Sequence, residues 1–210
     1  MTNWRQIEPG VLPSFPSKLE GHDICHFARE YFRRRGGSFG DGNNLISNFK
    51  IEPTDPKYEQ KKSLKFRAAY QFASELSDFL PNGATVCHVP TSKIASDPAF
   101  DPRFEAVFRR LQQVRSDLRI ETPFSVSASH HSVHTGGDRS IDKFYSYLRW
   151  EGLSQPAPII FIVDDVITSG SHFKACKKML LENTENIEAH GVFWTATVHV
   201  GDDRSAEFEF

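Results

Sequence analysis

Two adjacent carboxylates, Asp164 and Asp165, stand between an apolar run and a turn of small hydroxyl residues from Thr168 to Ser171. Carboxylate oxygens accept hydrogen bonds from sugar hydroxyls and bind cations such as Mg²⁺. A small-residue turn that precedes a helix can surround a phosphate with backbone N–H groups, and the helix N-terminus adds partial positive charge. The segment therefore predicts a ligand with a phosphate, a vicinal diol and a metal-bridged pyrophosphate.

The elements on either side must position these residues. Ile159 to Val163 is an uninterrupted apolar run, as expected for a parallel strand covered by helices on both faces, and a helix is predicted from Ser171 to about Asn183. Ligands of open α/β sheets bind outside the carboxyl ends of the strands, so both aspartates are expected at the edge of such a crevice. A strand that ends in a solvated acidic turn would explain the apolar run. It would not explain hydroxyl and glycine residues just before a helix.

Residues 159–171, with the sequence IIFIVDDVITSGS, closely resemble the signature by which type I phosphoribosyltransferases bind phosphoribosyl pyrophosphate (PRPP), and the match has no gap. The resemblance implies that Asp164 and Asp165 hold the ribose 2- and 3-hydroxyls and take part in catalysis. It also implies that Asp164 contacts Mg²⁺, mostly through PRPP. The rest of the implied PRPP site is the turn and the 5-phosphate loop: Val166, Ile167, Thr168, Ser169, Gly170 and Ser171.

A second element of this family is a loop after the first core strand, where backbone amides and a basic side chain meet the pyrophosphate. Val89 to Lys93 is similar to that loop, which implies that Ser92 and Lys93 bind the pyrophosphate of PRPP. Ser92 can donate a hydrogen bond, and Lys93 can neutralise phosphate oxygens as a point charge. A surface turn that carries an ordinary lysine is the alternative.

The third element of the family is a flexible loop that closes over the reacting sugar. Ser129 to Arg139 has the corresponding place in the chain. The resemblance implies that Arg139 contacts the pyrophosphate and that His134 is a proton donor or a substrate contact. Closure of such a loop excludes water from a reaction that passes through an oxocarbenium-like sugar.

The histidines of this loop raise the alternative of a zinc site. The two sets with suitable spacing are His130 with His134, and His22 with Cys25 and His26. Neither set supplies the four ligands of a structural zinc site. We therefore interpret His130, His131 and His134 as polar loop histidines.

Hydrophobic spacing predicts the remaining helices and strands. Apolar residues recur every three or four positions from Tyr58 to Leu80, which predicts a helix with one buried face. The other predicted helices are His22–Arg35, Phe104–Val114 and Asp138–Trp150, the last capped by Asp138. The other predicted strands are Ala84–Val89, Phe124–Ala128 and Val192–Val200, with an exposed loop at Gly36–Asn44 and a short strand or irregular segment at Leu45–Ile51.

Predicted strands and helices alternate along the chain, which predicts an α/β fold with a mainly parallel twisted sheet flanked by helices. The resemblance implies a type I phosphoribosyltransferase-like core. Residues 1–57 are expected to form a small N-terminal hood and residues 58–210 the core. In the family, the hood selects the acceptor. Because no motif in residues 1–57 indicates a purine, pyrimidine, orotate or amide, the nitrogen acceptor stays unidentified.

Composition excludes several classes of protein. No apolar stretch approaches the roughly 20 residues needed to cross a bilayer, and the polar start from Met1 to Gly10 does not resemble a secretory signal. Three widely spaced cysteines fit a reducing compartment, so a cytoplasmic location is predicted. A net charge of -2 gives no general reason to bind nucleic acid, although residues 33–35 form a local basic run of arginines.

Two functions of different classes are compatible with this sequence. As an enzyme, the chain binds Mg-PRPP, and a nitrogen nucleophile attacks the anomeric carbon with release of pyrophosphate. As a sensor, it keeps a PRPP or nucleotide pocket without catalysis and acts through a protein partner. Pro90–Arg103 and Asn44–Lys50 resemble a subgroup of small bacterial phosphoribosyltransferase-like proteins that includes companions of defence modules. That resemblance implies a protein partner, with a homodimer as the other expected assembly.

Overall fold

The computed structural model of the chain describes residues 2–13, 15–33, 35–129, 140–155 and 157–198. The strands are β1 Arg5–Gln6, β2 Cys25–Phe32, β3 Thr85–His88, β4 Arg119–Ile120, β5 Phe124–Val126, β6 Leu148–Trp150, β7 Ile159–Ile167 and β8 Glu188–Val198. The helices are α1 Asp41–Phe49, α2 Tyr58–Phe79, α3 Arg103–Val114, α4 Ile141–Tyr147 and α5 Ser171–Asn183. No helix among these residues is both long and apolar enough to cross a membrane.

The central sheet has six strands in the order β1-β2-β8-β7-β3-β4. The five strands from β2 to β4 in this order run parallel, and β1 pairs antiparallel with β2 at one edge. β7 lies between β3 and β8; β3 pairs with its first half, Ile160 to Val163, and β8 pairs along its whole length. The predicted α/β class, with a mainly parallel sheet flanked by helices, is therefore confirmed.

Alternate side chains of β7 enter two separate cores, which explains why its sequence is apolar without interruption. Ile160 and Ile162 pack in the cluster that contains Phe173 and Leu180 of α5. Phe161 and Val163 pack in the cluster that contains the inner faces of α2 and α3. A strand covered on both sides by helices needs apolar residues at every position, as the sequence predicted.

Several predicted elements agree with the structure to within a few residues. The helix predicted over Tyr58–Leu80 is α2, and those predicted near Phe104–Val114 and Ser171–Asn183 are α3 and α5. The strands predicted over Ala84–Val89 and Val192–Val200 are β3 and β8. Each has a clear apolar period in the sequence and a turn signal at one or both ends.

The helix predicted over His22–Arg35 is wrong, because Cys25–Phe32 forms β2. Cys25 and Phe27 enter one core and Ala28 the other, and the strand pairs in parallel with β8. The edge of β8 supplies backbone hydrogen-bond partners for this segment. Local residue preferences do not reveal such partners, because they come from a distant part of the chain.

The exposed loop predicted at Gly36–Asn44 is wrong for its last four residues, because α1 begins at Asp41. The strand or irregular segment predicted at Leu45–Ile51 is wrong as far as Phe49, where α1 ends. Gly42 lets this helix approach β2, because a Cβ there would lie 2.0 Å from the carbonyl oxygen of Glu30. The Asn43 side chain accepts from the Phe32 N–H and donates to the Phe32 carbonyl, both at 2.9 Å. Residue types that are typical of a loop here dock a helix onto a strand.

The region between β4 and β7 differs from the prediction in two ways. Phe124–Val126 is β5, but it pairs antiparallel with β6 in a separate sheet of two strands. The predicted helix to Trp150 ends at Tyr147, because Leu148–Trp150 becomes β6. Ser140 caps α4 by accepting the Lys143 N–H at 3.2 Å, whereas the predicted cap, Asp138, lies outside the described residues.

Residues of the predicted hood form part of the central sheet and part of the helical layer that covers it. β1 and β2 belong to the central sheet, while α1 contacts α2 and β2. The division at residue 57 stays a prediction.

Candidate functional site

A cleft of about 880 Å³ opens at the carboxyl ends of β3 and β7. Its wall brings together two loops that are far apart in the sequence. The residues predicted to bind PRPP within the described part of the chain all line it: Ser92, Lys93, Asp164, Asp165, Val166, Ile167, Thr168, Ser169, Gly170 and Ser171.

β7 continues through both aspartates to Ile167, so the carboxylates do not follow the end of the strand as the sequence suggested. Asp164 pairs with Phe193 of β8, and Ile167 pairs with Ala196. The length of β8 explains the difference, because it offers backbone partners as far as Val198. The ladder therefore fixes the backbone of the acidic pair.

Asp164 is half-buried in the cleft. Its Oδ1 accepts the Asp165 N–H at 2.8 Å. Burial and the negative charge of Asp165 raise the pKa of Asp164 to about 7, against the opposing charges of Lys50 and Arg103. Asp164 can therefore present either a proton or an acceptor oxygen to a ligand near neutral pH.

Asp165 has a different environment, since only 3% of its surface is exposed. Lys50 Nζ lies 2.8 Å from its Oδ1, and Arg103 Nε lies 3.4 Å from its Oδ2. Burial alone would raise the pKa of Asp165, but the two cations outweigh it and lower the pKa. The surroundings therefore shift the pKa values of the two neighbouring carboxyl groups in opposite directions, upward for Asp164 and downward for Asp165.

The phosphate-binding turn predicted over residues 168–171 has the geometry of a helix entry. Gly170 has φ 86° and ψ 1°, a left-handed conformation, and α5 begins at the next residue. The Ser171 N–H points to Ser169 Oγ at 3.4 Å, and Ser169 Oγ donates to Ser171 Oγ at 3.1 Å. Thr168 shares a hydrogen bond of 2.9 Å with Thr197 of β8. Hydroxyls and the positive end of a thirteen-residue helix therefore face the same part of the cleft.

An N-terminal segment braces this turn from outside. The Lys18 N–H donates to the Ser169 carbonyl at 2.8 Å. Farther along, Asp23 accepts from Lys174 at 2.8 Å and from Lys177 at 2.7 Å, which ties the segment to the first turns of α5. The turn is therefore positioned by the strand, the helix and the segment that covers it.

The Val89–Lys93 loop lies beside β7, since the Val89 N–H donates to the Val163 carbonyl at 2.9 Å. Lys93 is 30% exposed at its side chain and forms a long ion pair of 3.7 Å with Asp97. Such a loosely held cation can turn toward an anionic ligand at little cost. His130, His131, His134 and Arg139 lie outside the described residues, so their predicted roles stay predictions.

Two groups of described residues offer carboxylate oxygens to a metal ion. Asp164 offers a carboxylate oxygen to the cleft, the donor type that suits Mg²⁺. Glu20, His22 and Asp23 form the group with metal-ligand spacing among the described residues. The Asp23 oxygens are already bound by two lysines, so this group fits an ion-pair cluster better than a metal site.

The environment of Cys25 argues against the zinc site considered for His22, Cys25 and His26. Cys25 is fully buried, and burial raises the pKa of its thiol to about 12. A thiolate, which zinc requires, is therefore strongly disfavoured there. The three cysteines are free and buried.

The structure adds residues to the cleft that the sequence did not single out as site residues. Lys50 and Arg103 reach Asp165 from the end of α1 and the start of α3. Tyr31, Arg33, Glu52 and Lys143 also line the cleft. No local spacing in the sequence connects either Lys50 or Arg103 with Asp165.

No protein-family model matches the chain, and no curated protein matches it. Among solved structures, a hypoxanthine phosphoribosyltransferase from Staphylococcus aureus is similar at 13% identity, covering 69% of this chain and 67% of that one, with a TM-score of 0.35. A hypoxanthine phosphoribosyl transferase from Trypanosoma cruzi is similar at 12% identity, covering 69% and 82% respectively, with a TM-score of 0.34. Superpositions this loose do not establish a shared function.

Proposed function

We propose that the cleft binds Mg²⁺-PRPP and that the protein transfers the phosphoribosyl group to a nitrogen nucleophile with release of pyrophosphate. The observation that carries the proposal is the placement of Asp164 beside the turn that begins α5. One continuous run of chain from β7 into α5 supplies a half-buried carboxylate, a left-handed glycine and a helix N-terminus to the same cleft. Those groups complement a sugar hydroxyl and a phosphate attached to the same sugar.

The 5-phosphate of PRPP binds the turn at residues 168–171. Its oxygens accept from the hydroxyls of Thr168, Ser169 and Ser171 and from the first N–H groups of α5. The left-handed Gly170 lets the backbone make the turn that brings these donors together. Binding at a helix N-terminus also stabilises the phosphate charge electrostatically.

The pyrophosphate lies against the Val89–Lys93 loop, on the β3 side of the cleft. Ser92 donates a hydrogen bond to it, and Lys93 exchanges its long ion pair with Asp97 for a phosphate oxygen. Mg²⁺, when bound, would supply positive charge that stabilises the leaving pyrophosphate. Asp164 is the protein carboxylate that suits this ion or its water ligands.

The acceptor nitrogen attacks the anomeric carbon from the face opposite the pyrophosphate. The bond from that carbon to the pyrophosphate oxygen breaks, the electron pair leaves with pyrophosphate, and the new C–N bond forms with inversion. The acceptor nitrogen loses its proton to water or a nearby base. The protein contributes by positioning both partners and stabilising the leaving charge, so no covalent enzyme intermediate is required.

The acceptor lies at the end of the cleft formed by β2 and α1. The phosphate turn and the pyrophosphate loop occupy the α5 and β3 sides, and Tyr31, Arg33, Ile46 and Glu52 line the wall on the β2 and α1 side. All four residues belong to the predicted hood region, which the family resemblance assigns to acceptor choice.

Binding is tested by thermal unfolding with Mg²⁺-PRPP, and chemistry by pyrophosphate release in a scan of nucleobases and amide donors. We expect an increase in the midpoint of unfolding with PRPP and release of pyrophosphate with one class of acceptor. Stabilisation without turnover on any acceptor would support the sensor function with a protein partner. Absence of stabilisation by PRPP at millimolar concentration would overturn both functions.

A further inference from the structure

Asp165 lines the cleft, but two cations flank its carboxylate. Its Oδ1 is held by Lys50 at 2.8 Å, and its Oδ2 has no accessible surface and accepts no hydrogen bond from the described residues. Arg103 Nε approaches the same Oδ2 at 3.4 Å. A sugar hydroxyl can reach this carboxylate only if one of the two cations moves away.

The ion pairs continue behind Asp165. Arg103 Nη1 lies 3.4 Å from Asp101 Oδ2, and Lys65 Nζ lies 2.8 Å from the same oxygen. Lys65 also donates to the carbonyls of Phe49 and Ile51, at 3.0 and 2.7 Å. The network therefore connects the end of α1, the middle of α2, the start of α3 and β7.

Asp164 has the opposite character. It is half-buried, and no residue of the described chain forms an ion pair with it. One of its oxygens accepts the Asp165 N–H at 2.8 Å, which leaves the other for a ligand. The orientation of Asp164 thus depends on a backbone that the ladder with β8 and the ion pairs of Asp165 both hold in place.

We propose that Lys50 is a positioning residue that acts through Asp165, and that Asp164 alone of the acidic pair contacts the sugar. This inference rests on the proposed binding of a ribose 5-phosphate group. Lys50 and Arg103 fix Asp165, Asp165 fixes the end of β7, and the end of β7 sets the positions of Asp164 and the phosphate turn. A network of this kind is sensitive to the loss of any charge, because the partners left behind stay buried.

The test compares ribose 5-phosphate with 2-deoxyribose 5-phosphate by calorimetry, since neither ligand needs a metal. We expect the wild type to prefer ribose 5-phosphate by roughly tenfold, the effect of one hydrogen bond to a charged group. Asp164→Asn should abolish this preference. Lys50→Met and Asp165→Asn should weaken both ligands roughly tenfold and keep the preference within about twofold, because the sugar contact itself is retained.

Two further variants distinguish a positioning role of Lys50 from a general loss of structure. Lys50→Arg keeps the charge and should restore most of the affinity, whereas Lys62→Met, which removes an exposed lysine paired with Glu59, should leave both affinities unchanged. Lys50→Met combined with Asp165→Asn should be no weaker than either single variant, as expected for one shared interaction. Near-ultraviolet circular dichroism at the titration temperature checks that each variant is folded.

The outcomes are distinguishable. A wild type that binds neither sugar phosphate overturns the proposed function and this inference together, whereas one that binds both equally overturns only the inferred sugar contact of Asp164. If the wild type discriminates and Asp165→Asn loses that discrimination, Asp165 contacts the sugar and only the inference is wrong. Unchanged affinity in Lys50→Met overturns the positioning role even if Asp165→Asn does not fold.

Discussion

Leu19 packs directly over Gly170: a Cβ built on the glycine would come within 2.8 Å of Leu19 Cδ2. The same glycine is in the left-handed conformation, with φ +86°. Two independent constraints therefore act at the residue that precedes α5. Both influence the turn that we assign to the 5-phosphate.

Gly170→Ala should lower the free energy of unfolding and weaken ribose 5-phosphate binding. The left-handed backbone costs about 1–2 kcal/mol for a residue with a Cβ, and the contact with Leu19 adds to it. Gly83→Ala is the matched control, because Gly83 has φ +72° but no atom within 4 Å of an added Cβ. Urea unfolding and calorimetry should show the larger loss, and the only loss of affinity, in Gly170→Ala. Equal losses with affinity retained would contradict the role of the Leu19 contact.

Gly42→Ala should destabilise the attachment of α1 to β2. The added Cβ would lie 2.0 Å from a backbone oxygen of Glu30, so the helix must move, at a cost of at least about 2 kcal/mol. Gly40→Ala serves as the control, since its backbone is extended and its Cβ would meet nothing within 4 Å. Urea unfolding of the two variants measures the difference. If Gly42→Ala were as stable as Gly40→Ala, the close packing described here would be wrong.

Lys93→Met should separate the two anionic subsites. We expect the affinity for Mg²⁺-PRPP to fall roughly tenfold, because a charge-assisted contact to the pyrophosphate is lost. The affinity for ribose 5-phosphate should not change, since that ligand has no pyrophosphate. Calorimetry with both ligands makes the comparison, with Lys62→Met as the control. A parallel loss for both ligands would show that Lys93 shapes the cleft as a whole.

Acid should weaken the brace between the N-terminal segment and α5. Burial raises the pKa of Asp23, but the hydrogen bonds from Lys174 and Lys177 outweigh it and hold the pKa below the ordinary 3.8. A carboxyl group with a lowered folded-state pKa stabilises the protein above its unfolded pKa and loses that contribution as the pH falls through the folded value. The wild type should therefore be more stable than Asp23→Asn at pH 6, and the difference should shrink progressively as the pH falls below about 4. A constant difference across that range would exclude the ionised Asp23 as the cause.

The ligand-binding role of residues 159–171 could be predicted because the residues that indicate it are adjacent in the sequence. The apolar run of β7, the acidic pair and the hydroxyl and glycine residues before α5 are contiguous, and the structure places them in one cleft. The predicted end of this strand at Val163 was wrong, because β7 continues to Ile167 along the neighbouring strand β8.

The N-terminal elements could not be predicted in the same way. Gly42 and Asn43 are typical loop residues, and only the neighbouring strand β2 makes them suitable for a docked helix. The role of Lys50 was hidden for a similar reason, because its partner Asp165 comes from a distant part of the sequence. Contacts made across the fold leave no periodic pattern in either segment.

The burial of Cys25, Cys87 and Cys176 makes the native protein convenient to label. Burial raises the pKa of each thiol, so few reactive thiolates are present at neutral pH. A cysteine introduced at an exposed position beside the cleft would then react with a maleimide dye far faster than the native thiols. Fluorescence from such a single site would report ligand entry without first removing any natural cysteine.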